Sequence, residues 1–216
     1  MVGIFDSGVG GYNSLRELRR LREKVDVIYL ADYKNAPYGT KTKEELIPII
    51  SDNIERLISL GCERVLIACC TASAMLGYLP GELRDMALGV IEPTLLEVRR
   101  SGCRRVTLIA TDRTVSEGAF SALMPECELI GIKAQELVGI VERGEWDSPY
   151  IAELINKIKD TSPDALILGC THFSHLSDRF LRDIPGARIF SPADIGAREF
   201  SLGINGLGEG RIEYIQ

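Results

Sequence analysis

The sequence predicts an α/β protein made of two pseudo-symmetric α/β halves, each with a mainly parallel sheet, and an active site in the cleft between them. Two observations carry this expectation. Short apolar runs alternate with longer amphipathic stretches along the 216 residues, as they do where strands are joined by crossover helices. The chain also repeats itself: Arg64-Val-Leu-Ile-Ala-Cys-Cys-Thr71 is echoed by Ala165-Leu-Ile-Leu-Gly-Cys-Thr171, and Gly3-Ile-Phe-Asp6 more loosely by Leu108-Ile-Ala-Thr-Asp112. The two echoes come in the same order and at similar offsets. Duplication accounts for that better than chance likeness between apolar strands.

The first half opens on a strand at Val2–Phe5, a helix at Tyr12–Arg22 and a second strand at Val27–Ala31. Lys43–Ser59 reads as a helix because Leu46, Ile50, Ile54, Leu57 and Ile58 share one face. Strands at Val65–Ala68 and Leu88–Ile91 complete this half, and a boundary is expected near Glu92–Pro93. The second half runs through a helix at Thr94–Arg100, strands at Val106–Ala110 and Leu129–Ile132, a helix at Pro149–Asp160, and strands at Ala165–Leu168 and Arg188–Phe190. Domains of 1–93 and 94–190 follow, with the segment from about 191 to 216 returning to the first. Within it Gly203–Gly210 is glycine-rich and expected as loop, and Arg211–Gln216 as a last strand or helical turn.

Hydrophobic residues make up 45% of the chain and charged residues 26%, a globular rather than a disordered balance. A net charge of −6 gives no reason to expect nucleic acid or an anionic membrane surface as a partner. No apolar run has the length of a membrane span. The six cysteines, at 62, 69, 70, 103, 127 and 170, are too few for a disulfide scaffold. A strand-like run starts at Val2 with no leader before it, so reduced thiols and a cytoplasmic location are expected.

Three segments could carry chemistry. Asp6-Ser7-Gly8-Val9-Gly10-Gly11 follows a strand and precedes a helix, where backbone N–H groups can receive an anion. It lacks the third glycine of a dinucleotide fingerprint, and a capped strand–helix turn explains it equally well. Asn35-Ala-Pro-Tyr-Gly-Thr-Lys41 follows the second strand and therefore lies beside the first segment. The third is a pair, Cys69-Cys70-Thr71 and Cys170-Thr171-His172, at equivalent strand ends of the two halves. If the halves face each other, the two thiols approach one cleft from opposite sides.

That arrangement suits racemisation. The α-proton leaves one face of the carbon and returns to the other, so one acid/base group is needed on each side. A thiol with an unperturbed pKa near ~8.5 can fill either role. His172 could poise Cys170, and Asp6 could do the same for Cys69. Cys62, Cys103 and Cys127 are better read as small core residues. A zinc site from Cys69, Cys70, Cys170 and His172 is the competing use of the same side chains. Its spacing is not that of a zinc knuckle, so no metal is expected.

Taken together, these segments resemble glutamate racemases of the aspartate/glutamate racemase superfamily. The likeness rests on Asp6–Gly11, Pro37-Tyr-Gly-Thr-Lys-Thr42, Ala68-Cys-Cys-Thr-Ala-Ser73, Gly89-Val-Ile-Glu-Pro93, Leu168-Gly-Cys-Thr-His172 and, more weakly, Leu137-Val-Gly-Ile-Val-Glu142 with Gly144. It implies a cofactor-free enzyme, commonly a homodimer, that interconverts L- and D-glutamate and so supplies D-glutamate for peptidoglycan. It further implies Cys69 and Cys170 as the acid/base pair, assisted by Asp6, His172 and Glu142. Ser7, Tyr38, Gly39, Cys70, Thr71 and Thr171, with Asp6 and His172, would contact the substrate. This chain departs from the pattern at Cys70, where the family has Asn, at Gly139 and Ser174, where it has Pro, and in its shorter length. An aspartate racemase or a non-catalytic binding relative are the alternatives; His172 favours glutamate, and retention of both cysteines favours catalysis.

Overall fold

A computed structural model describes residues 1–122, 126–206 and 208–216. Among them nine strands form two wholly parallel sheets. The first has the order β4-β3-β1-β2-β9, with β1 at Val2–Asp6, β2 at Val27–Ala31, β3 at Val65–Ile67, β4 at Ala87–Gly89 and β9 at Ile212–Ile215. The second has the order β6-β5-β7-β8, with β5 at Arg105–Ala110, β6 at Glu128–Lys133, β7 at Ala165–Gly169 and β8 at Arg188–Phe190. Without β9 the two orders are the same, which is the repeat seen in the sequence expressed as topology.

Every residue of β1, β2, β3 and β7 is buried, as expected for parallel strands covered by helices on both faces. The edge strand β6 is mostly exposed and carries Glu128 and Lys133 at its two ends, charges that discourage pairing with another chain. The helix Lys43–Ser59 is started by a capping box between Thr42 and Glu45. Leu46, Ile50, Ile54 and Leu57 of its expected apolar face are buried, and Ile58 is half-buried.

The apolar run Leu88–Ile91 is not one strand. β4 ends at Gly89, Val90 turns to helical angles, and Ile91 starts the helix Ile91–Ser101, three residues before the expected Thr94. Pro93 explains the early start: in a first turn its missing N–H has no intrahelical partner to lose. Glu92–Pro93, expected as a boundary, therefore lies in that first turn. The helix closes on Gly102 at φ +77.

The chain returns from the second sheet through the helix Pro192–Leu202, which packs on Tyr12–Leu21 and Ile91–Ser101. Ser14 Oγ donates to the Ala193 carbonyl at 2.8 Å and Arg22 Nε to that of Ser201 at 3.1 Å. The described residues of Gly203–Gly210 form neither helix nor strand, Leu207 lying outside them, and β9 then pairs with β2.

Candidate active site

In sheets of this order, ligands bind where neighbouring strands send their connections to opposite faces, at the carboxyl ends. In the first sheet that point lies between β1 and β3, whose ends carry Asp6–Ser7 and Cys69. In the second it lies between β5 and β7, whose ends carry Thr111 and Cys170. Both points open on one small cavity of ≈ 50 Å³. Its walls include Ser7, Tyr38, Gly39, Cys69, Cys70 and Thr71 from the first half, and Glu142, Cys170, Thr171 and His172 from the second. All but one of the residues expected from the sequence are thus brought together. The exception is Asp6, which is fully buried and stands behind the wall.

Cys69 precedes the short helix Cys70–Met75 and lies 3.6 Å from Ser7 Oγ. Burial, then the Asp6 carboxyl, push its thiol up to about 11; the N–H groups of Ala72 and Thr71 and the Ser7 hydroxyl oppose this. Cys170 is pushed up as well, chiefly by burial, against the N–H of His172. Its sulfur lies 3.6 Å from His172 Nδ1, and His172 Nε2 lies 3.1 Å from Glu142 Oε1. With Nε2–H donating to that carboxylate, Nδ1 is left as the acceptor facing the thiol. Glu142 is the last residue of the helix Gln135–Glu142, so the helix length sets this spacing.

Asp6 accepts from the Gly8 N–H at 2.9 Å and from the Thr171 hydroxyl at 3.3 Å, joining the two halves. Burial raises its pKa, while His172 and the N–H groups of Gly8 and Gly11 pull the other way. Such a contact needs the loop after β1 to run close to Thr171 and His172. Gly10 makes that possible, since a Cβ there would overlap Thr171 Oγ1 and come within 3.0 Å of His172 Nδ1.

Tyr38 and Cys70 sit in the wall differently from a simple contact role. The Tyr38 hydroxyl donates to Asp32 Oδ2 and accepts from Asn53 Nδ2 at 3.1 Å, so only its ring and backbone are left for the cavity. Burial raises Asp32, but hydrogen bonds from Tyr38, Asn35 and Asn53 outweigh it and leave the carboxyl below its usual range. Cys70 is 1% exposed and packs among Ile4, Leu15, Ala68 and Val90. Cys69 and Cys170 pack into two other apolar clusters, so the three sulfurs reach the one cavity from differently packed backgrounds. Among the described residues no three His, Cys, Asp or Glu side chains are disposed to share a metal ion.

The wall also holds residues that the sequence did not single out as site residues, Thr111 and Gln135 among them. Thr111 could have been found from the repeat. Two residues before Cys69 stands Ile67, paired with Phe5; two before Cys170 stands Leu168, paired with Ile109. Counting two past each partner gives Ser7 and Thr111, so they are equivalent positions. Thr111 Oγ1 lies 3.0 Å from Thr71 Oγ1 and 2.8 Å from Thr114 Oγ1, a hydroxyl cluster bridging the halves.

Comparison with known proteins agrees with this architecture. The family model described as Asp/Glu/Hydantoin racemase matches residues 13–200. The glutamate racemase of Desulforudis audaxviator is 38% identical over 212 residues, 93% of this chain and 78% of that protein. A glutamate racemase of Thermus thermophilus is 35% identical, covering 96% of this chain and 80% of the relative. Among solved structures, the Thermus thermophilus glutamate racemase in complex with β-chloro-D-alanine superposes with a TM-score of 0.85 at 32% identity, over 99% of this chain and 86% of the other. The Francisella tularensis glutamate racemase in complex with D-glutamate gives 0.86 at 25% identity, again over 99% and 86%. The chain therefore belongs to the Asp/Glu/Hydantoin racemase family and stands among its glutamate racemases, which makes it an amino-acid racemase, an isomerase.

Proposed function

We propose that the protein interconverts L- and D-glutamate without a cofactor, through a two-base mechanism in which Cys69 and Cys170 exchange roles. The observation that carries the reading is the placement of the two thiols at equivalent strand ends, β3 and β7, on opposite halves of one cavity. The names of the relatives supply the substrate. One thiolate removes the α-proton, the electron pair passes into the adjacent carboxyl group, and the other thiol returns a proton to the opposite face. Reversal swaps the roles, so each direction starts from a different protonation state of the pair.

His172 and Glu142 serve the Cys170 side: Nδ1 accepts the thiol proton while the Glu142 carboxylate steadies the imidazolium that results. Asp6 and Ser7 serve the Cys69 side. Ser7 and the backbone at Tyr38–Gly39, Thr71 and Thr171 receive the substrate's carboxylates, with Cys70 contributing shape rather than a strong hydrogen bond. The cavity has room for a few waters, so a dicarboxylic amino acid enters when its two walls part. The reading also includes a homodimer and use of the D-glutamate in peptidoglycan, as the resemblance to the family implies.

The test is turnover of all four acidic enantiomers, followed by circular dichroism with no cofactor added. Both glutamates are expected to racemise, and aspartate to be much slower. Turnover of aspartate alone would replace this reading with the aspartate one.

The elevated thiols also set a pH dependence. The base form is the thiolate, and a pKa raised to about 11 at Cys69 leaves little of it at neutrality. Raising the pH increases that fraction, so kcat/KM should climb between pH 7 and 9 in the direction that uses Cys69 as base. A rate profile that falls over this interval would contradict the assignment.

A further inference from the structure

We propose that Gln135 is a specificity-determining residue of this site, its carboxamide donating a hydrogen bond to a carboxylate of the substrate. The inference rests on the dicarboxylic substrate of the reading above and extends it to a residue with no role there.

Gln135 opens the helix Gln135–Glu142 and its side chain lines the cavity. Its Oε1 is buried with no hydrogen-bond partner, and the side chain makes no hydrogen bond among the described residues. Orphaned buried polar groups are rare, because leaving one unpaired costs folding free energy. One at a cavity wall marks a place kept for a ligand. The amide is held there by close packing: a Cβ on Gly39 would overlap Gln135 Oε1 and lie 2.7 Å from Thr111 Cβ. Gly39 is bare where the carboxamide needs room.

The choice of carboxylate follows from charge. No lysine or arginine is among the described lining residues, so a substrate with two carboxylates depends on neutral donors. The hydroxyls of Thr71, Thr111 and Thr114 already bond one another. Among the described residues Gln135 is the sole carboxamide in the wall, and it can turn its NH2 group to the place now held by Oε1. The anionic group of the second half, Glu142, stands at the other end of the same helix, roughly 10 Å further along its axis. The Gln135 end is therefore where a bound carboxylate is least repelled, and the Glu142 end suits the ammonium.

The test compares Gln135→Leu, Gln135→Glu and the parent enzyme, with thermal melting to confirm folding of each. Gln135→Leu should raise KM for both glutamate enantiomers roughly tenfold to a hundredfold, with kcat much less affected. Gln135→Glu keeps the shape but sets like charges together, and should bind more weakly still. Affinity for glutarate, which has both carboxylates and no ammonium, should fall in parallel. Norvaline, lacking the distal carboxylate, and 4-aminobutyrate, lacking the α-carboxylate, then identify the bond: the ligand insensitive to Gln135→Leu is missing the group that Gln135 holds. An unchanged KM in Gln135→Leu, or a Gln135→Glu variant that binds glutamate as well as the parent does, would overturn the proposal. A parent enzyme that binds glutarate through Gln135 yet racemises neither glutamate would refute the proposed reaction and leave this inference standing.

Discussion

Replacing either Cys69 or Cys170 by alanine should lower the rate of glutamate racemisation on the order of 10²–10⁴-fold, the range for loss of a positioned general acid/base group. The effect should be similar for the two residues because neither half-reaction completes an inversion alone. Without Cys170, a thiolate at Cys69 can still take the proton from one enantiomer, but it can return it only to the same face. Both positions are buried in well-packed surroundings, and the change to alanine removes a single sulfur, so the folded state should persist. Circular dichroism of the protein separates folding from rate, and polarimetry of glutamate measures the rate. A Cys→Ala variant at either position that keeps racemising at the parent rate would remove that thiol from the mechanism.

Gly10→Ala should lower kcat roughly a hundredfold although Gly10 itself does no chemistry. A methyl group there overlaps Thr171 Oγ1, stands 2.7 Å from Thr171 Cβ and comes within 3.0 Å of His172 Nδ1, so either the loop after β1 or the Thr171–His172 segment must move. In the proposed mechanism both hold groups that align the thiols with the substrate, and a displacement of about 1 Å is worth that much in rate. Gly77→Ala is the comparison, because a Cβ there meets nothing within 4 Å. The two variants together distinguish crowding at the cleft from a general intolerance of alanine for glycine. Equal rates in both would mean that the loop absorbs the methyl group without consequence.

The residues most legible in the sequence are those tied to strand ends. Cys69 and Cys170 follow apolar runs of similar composition, and parallel strands in a repeated order bring such ends to one place. Glu142 is harder, since its approach to His172 depends on the length of the helix that ends with it. Where the sequence falls short, the missing information is tertiary. The Tyr38 hydroxyl is turned away from the cavity by Asp32 and Asn53, and nothing in Pro37-Tyr-Gly39 announces those partners. Gln135 is one of two adjacent polar residues, with Glu136, at the start of a helix. Its place in the wall comes from the pairing of β6 with β5, which brings Lys133 beside Ala110 and so the start of the helix beside Thr111. The boundary expected near Glu92–Pro93 comes from the repeat, which separates the halves without marking the helix start, and Ile91–Ser101 takes both residues into its first turn.

Proton NMR of the reduced enzyme in deuterium oxide shows whether one acid/base thiol stands on each face of the substrate. L- and D-glutamate should each lose the Cα–H signal with the parent enzyme. With Cys69→Ala and Cys170→Ala, racemisation should fall on the order of 10²–10⁴-fold, as expected for loss of one acid/base group, and the exchange that remains should favour opposite enantiomers in the two variants. Exchange of the same enantiomer in both, or racemisation at the parent rate after the loss of one thiol, would contradict the two-base mechanism.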